Sequence, residues 1–194
     1  EWQSQWAVFE QFIKDRLLDG KEQILSLDDL AKEQCDVYIL GSDQIWAREL
    51  THGFDPVYFG QFAPMRKKIS YAASVPNGSI PEAEQEYFKN ALASLAHISV
   101  REEKLALAVE KLTGKKVTTV VDPTLLLEKA DYEDLLYKDR IVKEKYIFAY
   151  YVVENEMLSK CAQRAAKEYG YRLIELHYKK TPKIKGENMI FDAG

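Results

Sequence analysis

The run Asp36-Val37-Tyr38-Ile39-Leu40-Gly41-Ser42-Asp43 decides how this chain is read, because an apolar segment ends there in a turn of small residues that carries an acid. A short continuous apolar run bounded by turn signals is the pattern of a buried strand. A strand that stops at Gly41-Ser42-Asp43 delivers a carboxylate and backbone amides to the carboxyl edge of a sheet, where α/β proteins bind their ligands.

Outward from that turn the pattern alternates. Residues 68–73 and 97–100 read as strands, and residues 117–121 as a third, broken by Asp122-Pro123. Between them lie two amphipathic helices. Ser79 and Glu82 have capping-box spacing ahead of Tyr87, Phe88, Ala91, Leu92 and Leu95. Ser99 and Glu102 repeat that spacing, which puts Arg101 in the first turn of a helix whose core face is Leu105, Val109 and Leu112 and whose stop is Gly114. Strands alternating with helices need crossover connections, so the expected fold is α/β with a Rossmann-like parallel sheet.

The flanks are consistent with this. Trp2, Trp6, Phe9, Ile13 and Leu17 follow helical spacing up to Gly20, and residues 26–31 read as one short helical turn. Residues 51–67 mix Gly, Pro and aromatics, a composition expected of a packed loop that walls a site. The first domain is placed at residues 1–126, followed by a charged linker at 127–145 with at most a short helix at 132–137. A second unit then begins, with a strand at 146–153, a helix at 156–169 between Asn155 and Gly170, and a strand at 172–176. One β-α-β unit cannot bury both faces of its sheet, so residues 146–194 are expected to be the start of a truncated second domain.

Composition excludes several classes. In 194 residues, 27 basic and 31 acidic side chains give a formal charge of −4 with the signs interspersed, so no basic face advertises nucleic acid. No stretch approaches the roughly 20 apolar residues of a membrane span, and no signal-peptide order opens the chain. Cys35 and Cys161 are read as buried thiols, which suits a reducing cytoplasm. The sequence has no G-x-G-x-x-G, no phosphate-loop lysine motif and no G-x-S-x-G elbow. His52, His97 and His177 have no metal-ligand spacing and are read as structural or surface residues.

Two candidates for chemistry remain. Asp43 can take a proton from a hydroxyl or orient a sugar, with Gly41 admitting a ligand to the backbone; equally, Gly41-Ser42-Asp43 can be a turn that caps the next segment of chain. Arg101 joins its charge to the positive end of a helix, an arrangement suited to a phosphate or carboxylate; its alternative partners are Glu102, Glu103 and Asp122. Trp46 can offer a ring face to a sugar, although packing is its simpler role.

Five segments in order, Asp36 to Trp46, Phe54-Asp55-Pro56-Val57-Tyr58-Phe59, Lys68-Ile69-Ser70-Tyr71-Ala72-Ala73-Ser74, Ile98-Ser99-Val100-Arg101-Glu102 and Val121-Asp122-Pro123-Thr124-Leu125-Leu126, closely resemble the polysaccharide pyruvyltransferase family. The resemblance implies a bacterial-type cytoplasmic enzyme that transfers a pyruvyl group from phosphoenolpyruvate onto two hydroxyls of a cell-surface saccharide, releasing phosphate and needing no further cofactor. It implies two Rossmann-like domains arranged as in GT-B glycosyltransferases. Arg101 matches the arginine associated with donor binding, and Asp43 matches the acid of the Gly-Ser-Asp motif on the acceptor side. Gly41, Ser42, Gln44, Trp46 and Ser74 are the accompanying substrate-binding candidates. The family's opening strand and its late Ser-Phe-His-Gly-like segment are not found, so the chain is expected to be an interior fragment, inactive alone. Competing expectations are a nucleotide-sugar glycosyltransferase and a catalytically silent carbohydrate-binding or scaffold domain.

Overall fold

The computed structural model describes residues 2–18, 20–21, 24–33, 35–63, 67–135, 142–177, 183–185 and 188–192. They fall into two compact units, 1–132 and 133–194.

The first unit opens with helix α1 (Trp2–Phe12), continued as a π-helix over Ile13–Leu18. Its helical spacing forms a helix as expected, but Trp6, Phe9, Ile13 and Leu17 are exposed. Helix α2 (Leu27–Lys32) is capped by Ser26, whose side chain accepts from the Asp29 amide. Strands β1 (Val37–Leu40) and β2 (Lys67–Ser70) follow and pair in parallel, with Val37 opposite Lys67 and Leu40 opposite Ser70. Helix α3 (Gln85–Leu92) leads to β3 (Ile98–Val100), and α4 (Glu103–Thr113) leads to β4 (Val117–Thr119), parallel to β3.

Bridges Ile69 to His97 and Ala73 to Val100 join the two pairs, so the strands run β1-β2-β3-β4 side by side in parallel. The serines tie the middle of this sheet: Ser70 Oγ donates to the Ser99 carbonyl at 3.0 Å, and Ser99 Oγ donates to the Ser70 carbonyl at 2.8 Å. Beneath the sheet the core gathers Leu40, Val100, Leu92, Leu95, Leu105 and Val109 with an aromatic nest of Trp46, Phe59 and Phe88. Trp46 stacks on Phe59 with ring centroids 5.8 Å apart. The Gly- and Pro-rich loop after β1 is therefore packed, as its aromatics predict. At the far end of α3, Lys115 Nζ donates to the carbonyls of Leu92, Ala93 and Leu95, satisfying acceptors that a helix leaves open.

Several expectations need correction. Neither capping box forms: a 3-10 turn at Glu82–Glu84 follows Pro81, and Ser99 lies inside β3. β1 is less buried than its apolar run predicts. Leu40 is in the core, whereas Val37 and Ile39 are exposed, because β2 is its only neighbour among the described strands. Cys35 and Cys161 are both exposed; the first lies outside the strand, and the second is on the outer side of its helix.

The second unit holds β5 (Tyr146–Tyr151), α5 (Glu156–Tyr169) and β6 (Arg172–His177). Helix α5 has its expected limits, with the Asn155 side chain accepting from the Leu158 amide and Gly170 closing it in a left-handed conformation. Strands β7 (Lys183–Lys185) and β8 (Asn188–Asp192) complete a sheet ordered β5-β6-β8-β7, in which β7 alone is antiparallel. A 3-10 turn at Pro123–Leu126 belongs to the first unit, and another at Lys129–Leu135 crosses the division; the remainder of the short helix expected at 132–137 lies outside the described residues.

Candidate functional site

Four parallel strands in one register bring four chain segments to one edge. Just past β1, the Asp43 carbonyl accepts from the Ser74 amide at 2.9 Å, which extends the β1–β2 pairing through the turn. Past β3, the Arg101 amide donates to the Ala73 carbonyl at 3.1 Å, and the Val120 amide donates to the Val100 carbonyl at 3.0 Å. Asp43, Ser74, Arg101 with Glu102, and Asp122 thus arrive together at the carboxyl ends of β1, β2, β3 and β4.

The turn itself is held by close packing. Gly41 has φ +133°, and a Cβ built on it would lie 2.0 Å from the Tyr71 carbonyl oxygen, so only glycine fits. The tight approach at Gly41 is that of the neighbouring strand's backbone. Asp43 has φ +68°, a left-handed conformation that Asp and Asn adopt more readily than most residues. Ser42 and Gln44 flank it, half-buried.

Arg101 is the hub. Nη1 donates to Asp122 Oδ2 at 2.7 Å, Nη2 to Asp43 Oδ1 at 3.0 Å, and Nε to Glu102 Oε1 at 3.4 Å. Ser74, buried, donates from Oγ to the same Glu102 oxygen at 2.6 Å. Asp122 is pinned from its other side: Oδ1 accepts from the Thr124 amide at 3.0 Å and from Thr124 Oγ1 at 2.7 Å. Glu102 Oε2 is buried with no partner among the described residues, an acceptor that a donor hydroxyl would satisfy.

The charges follow from this geometry. Burial works against the guanidinium's charge, but hydrogen bonds to Asp122, Asp43 and Glu102 outweigh it and raise the Arg101 pKa above its ordinary value. Hydrogen bonds from Thr124, backbone first, and then from Arg101 lower the Asp122 pKa. Three carboxylates around one guanidinium leave the cluster net negative. Its arginine side chain still exposes 27% of its surface.

Arg101 does not sit in the first turn of α4 as the spacing suggested. Glu102 is the N-cap residue, with φ −109° and ψ 133°, and Glu103 begins the helix, so Arg101 is a strand-end residue and its partners are carboxylates rather than helix amides. Trp46 is 1% exposed and donates from Nε1 to the Tyr58 carbonyl at 3.0 Å; its ring faces are occupied by the core, which leaves none for a sugar. Glu102 and Asp122, seen in the sequence only as rival partners for Arg101, belong to the cluster. Their signal was positional, since each lies just beyond a strand end.

Among the described residues no helix is long and apolar enough to cross a membrane, and no group of three or more His, Cys, Asp or Glu side chains could hold a metal ion. The second unit places its polar residues differently. Tyr151 donates to Glu175 Oε1 at 2.9 Å, and the His177 ring stacks on Tyr151 with centroids 4.3 Å apart while Nδ1 lies 2.9 Å from Glu154 Oε1.

Parallel strands presenting a solvent-facing arginine among strand-end acids define an α/β protein with a polar cluster at the sheet edge where proteins of this class bind ligands. The family model for polysaccharide pyruvyl transferase matches residues 4–188, which includes every member of that cluster, and the chain belongs to this family. Neither a curated protein nor a solved structure matches it.

Proposed function

We propose that the protein transfers a pyruvyl group from phosphoenolpyruvate to a saccharide of a cell-surface polysaccharide, in the cytoplasm of a bacterial cell, within a two-domain architecture of the GT-B kind. The observation that carries this reading is Arg101, a strand-end cation with an exposed face set beside Asp43, inside the span of the family match. The family supports a transferase with a saccharide acceptor; the donor, the setting and the arrangement of domains are inferred from chemistry and resemblance.

The reaction as read needs three things. A cation must hold the donor's phosphate and carboxylate, an acid must protonate the enol methylene, and a base must relieve the attacking hydroxyls of their protons. Two carbon–oxygen bonds form at the central carbon and the bond to phosphate breaks; of the two hydroxyl protons released, one balances the methylene carbon and the other leaves with phosphate or solvent. Arg101 is assigned to the donor anion and Asp43 to the acceptor hydroxyls, with Ser42, Gln44 and Ser74 around them. No cofactor is called for.

The test is a phosphoenolpyruvate-dependent phosphate-release assay on the full-length protein with a panel of oligosaccharides. Arg101→Ala is expected to lower kcat/KM by about 100-fold or more, the scale set by removing a group that stabilises charge in the transition state. No release above background, or no loss in the variant, would sink the proposal. Release of a nucleoside diphosphate from a nucleotide sugar, without phosphate release from phosphoenolpyruvate, would instead assign the site to glycosyl transfer.

A further inference from the structure

The cluster poses a problem for any anionic ligand. Each of the three Arg101 nitrogens donates to a carboxylate, which takes three of its five N–H groups, and those carboxylates outnumber its single charge. An incoming anion must compete with them for the guanidinium. The three are not held alike.

Glu102 is anchored by buried Ser74 as well as by Arg101, and Asp122 is anchored by two bonds from Thr124 while it caps the 3-10 turn Pro123–Leu126. Asp43 has only the Arg101 bond from its carboxylate, and its side chain is 76% exposed. Its backbone, by contrast, is fixed by the Ser74 amide and the bridge to Ala73. The Asp43 carboxylate can therefore swing away by side-chain rotation alone, breaking one exposed ion pair of a kind that contributes little.

We propose that Asp43 is a resident substitute for the ligand's anion: its carboxylate occupies Nη2 of Arg101 in the empty site, and the donor's phosphate or carboxylate displaces it. Glu102 and Asp122 are positioning residues that keep the guanidinium in plane through the exchange. The displaced Asp43 carboxylate is released next to the newly seated donor, where an acceptor hydroxyl must lose its proton. One event then both seats the donor and frees the base, which orders the reaction with donor before acceptor. The exchange rests on the reading of Arg101 as the donor's anchor, but its first half requires only an anion.

The experiment titrates phosphoenolpyruvate, and separately inorganic phosphate, into the full-length wild-type protein and into Asp43→Asn and Asp43→Gly, by calorimetry. Both substitutions tolerate the left-handed backbone at φ +68°, so one serves as a check on the other. Removing the competing carboxylate is expected to tighten anion binding by about two- to fivefold, the worth of an exposed ion pair, while turnover with saccharide falls. Unchanged or weaker anion binding in both variants overturns the exchange. Tighter phosphate binding without any binding of phosphoenolpyruvate upholds the exchange and overturns the donor assignment. Binding of neither anion to any of the three proteins overturns both.

Discussion

The two units each carry polar side chains at the carboxyl ends of neighbouring parallel strands, and they use them in opposite ways. In the first, Asp43, Glu102 and Asp122 surround Arg101, a cation that reaches solvent, and the Asp43 carboxylate is held by that arginine alone. In the second, Tyr151, Glu175 and His177 are buried, and the His177 side chain exposes 6% of its surface. Position at a strand end is common to both. What separates the two clusters is exposure: the first holds a charged group that solvent reaches, and the second does not.

That contrast can be broken at its foundations first. Gly41→Ala would put a methyl group onto the Tyr71 carbonyl in a conformation that L residues avoid. The expected loss is on the order of 3 kcal/mol or more, read by urea denaturation, because neither backbone can move without unpairing β1 from β2. A loss below about 1 kcal/mol would mean that the turn is not held by close packing.

The next effect divides the two clusters. Arg101→Ala is expected to abolish most of the activity while changing stability by less than about 1 kcal/mol, since its ion pairs lie at a partly exposed edge. His177→Ala should do the reverse in kind. Losing a buried ring stacked on Tyr151 is expected to cost about 2 kcal/mol in thermal or chemical unfolding of the second unit. If His177→Ala leaves stability untouched, the second cluster is not a structural counterpart of the first.

The smallest effect is one of pH. The folded-state pKa of Asp122 is depressed by its bonds from Thr124 and Arg101, so its contribution is present above the ordinary aspartate range and is lost as pH falls through the lower folded value. Asp122→Asn is therefore expected to lower the melting temperature slightly in the neutral region, where that contribution is present, and to converge with the wild type well below about pH 4, so that the acid limb flattens. An unaltered acid limb would remove Asp122 from the set of pinned carboxylates.

Much of the fold was legible because it depends on local patterns. The core face of α4, Leu105 and Val109 with Gly114 beyond it, follows from spacing, and so do the limits of α5 between Asn155 and Gly170. The capping boxes failed for a local reason with a long-range cause. Ser99 spends its hydroxyl on the Ser70 carbonyl across the sheet, a partner 29 residues away, so it cannot cap α4, and Arg101 is left at a strand end. Burial was the least legible property. Cys35, Cys161, Val37 and Ile39 look like core residues in the sequence and are exposed, because their burial depends on neighbours that spacing does not supply.

By itself the sequence determined the alternation of strands and helices, the small-residue turn at Gly41-Ser42-Asp43, and the presence of an acid and an arginine near strand ends, since each follows from the properties of a few adjacent residues. Only the tertiary structure decided that Asp43, Ser74, Arg101, Glu102 and Asp122 meet. Their meeting depends on the parallel register of four strands and on the bridges at Ala73, which set residues up to 79 positions apart in sequence side by side at one edge. Tertiary structure also decided which carboxylate is held least. Exposure and the number of anchoring bonds, rather than residue type, separate Asp43 from Glu102 and Asp122.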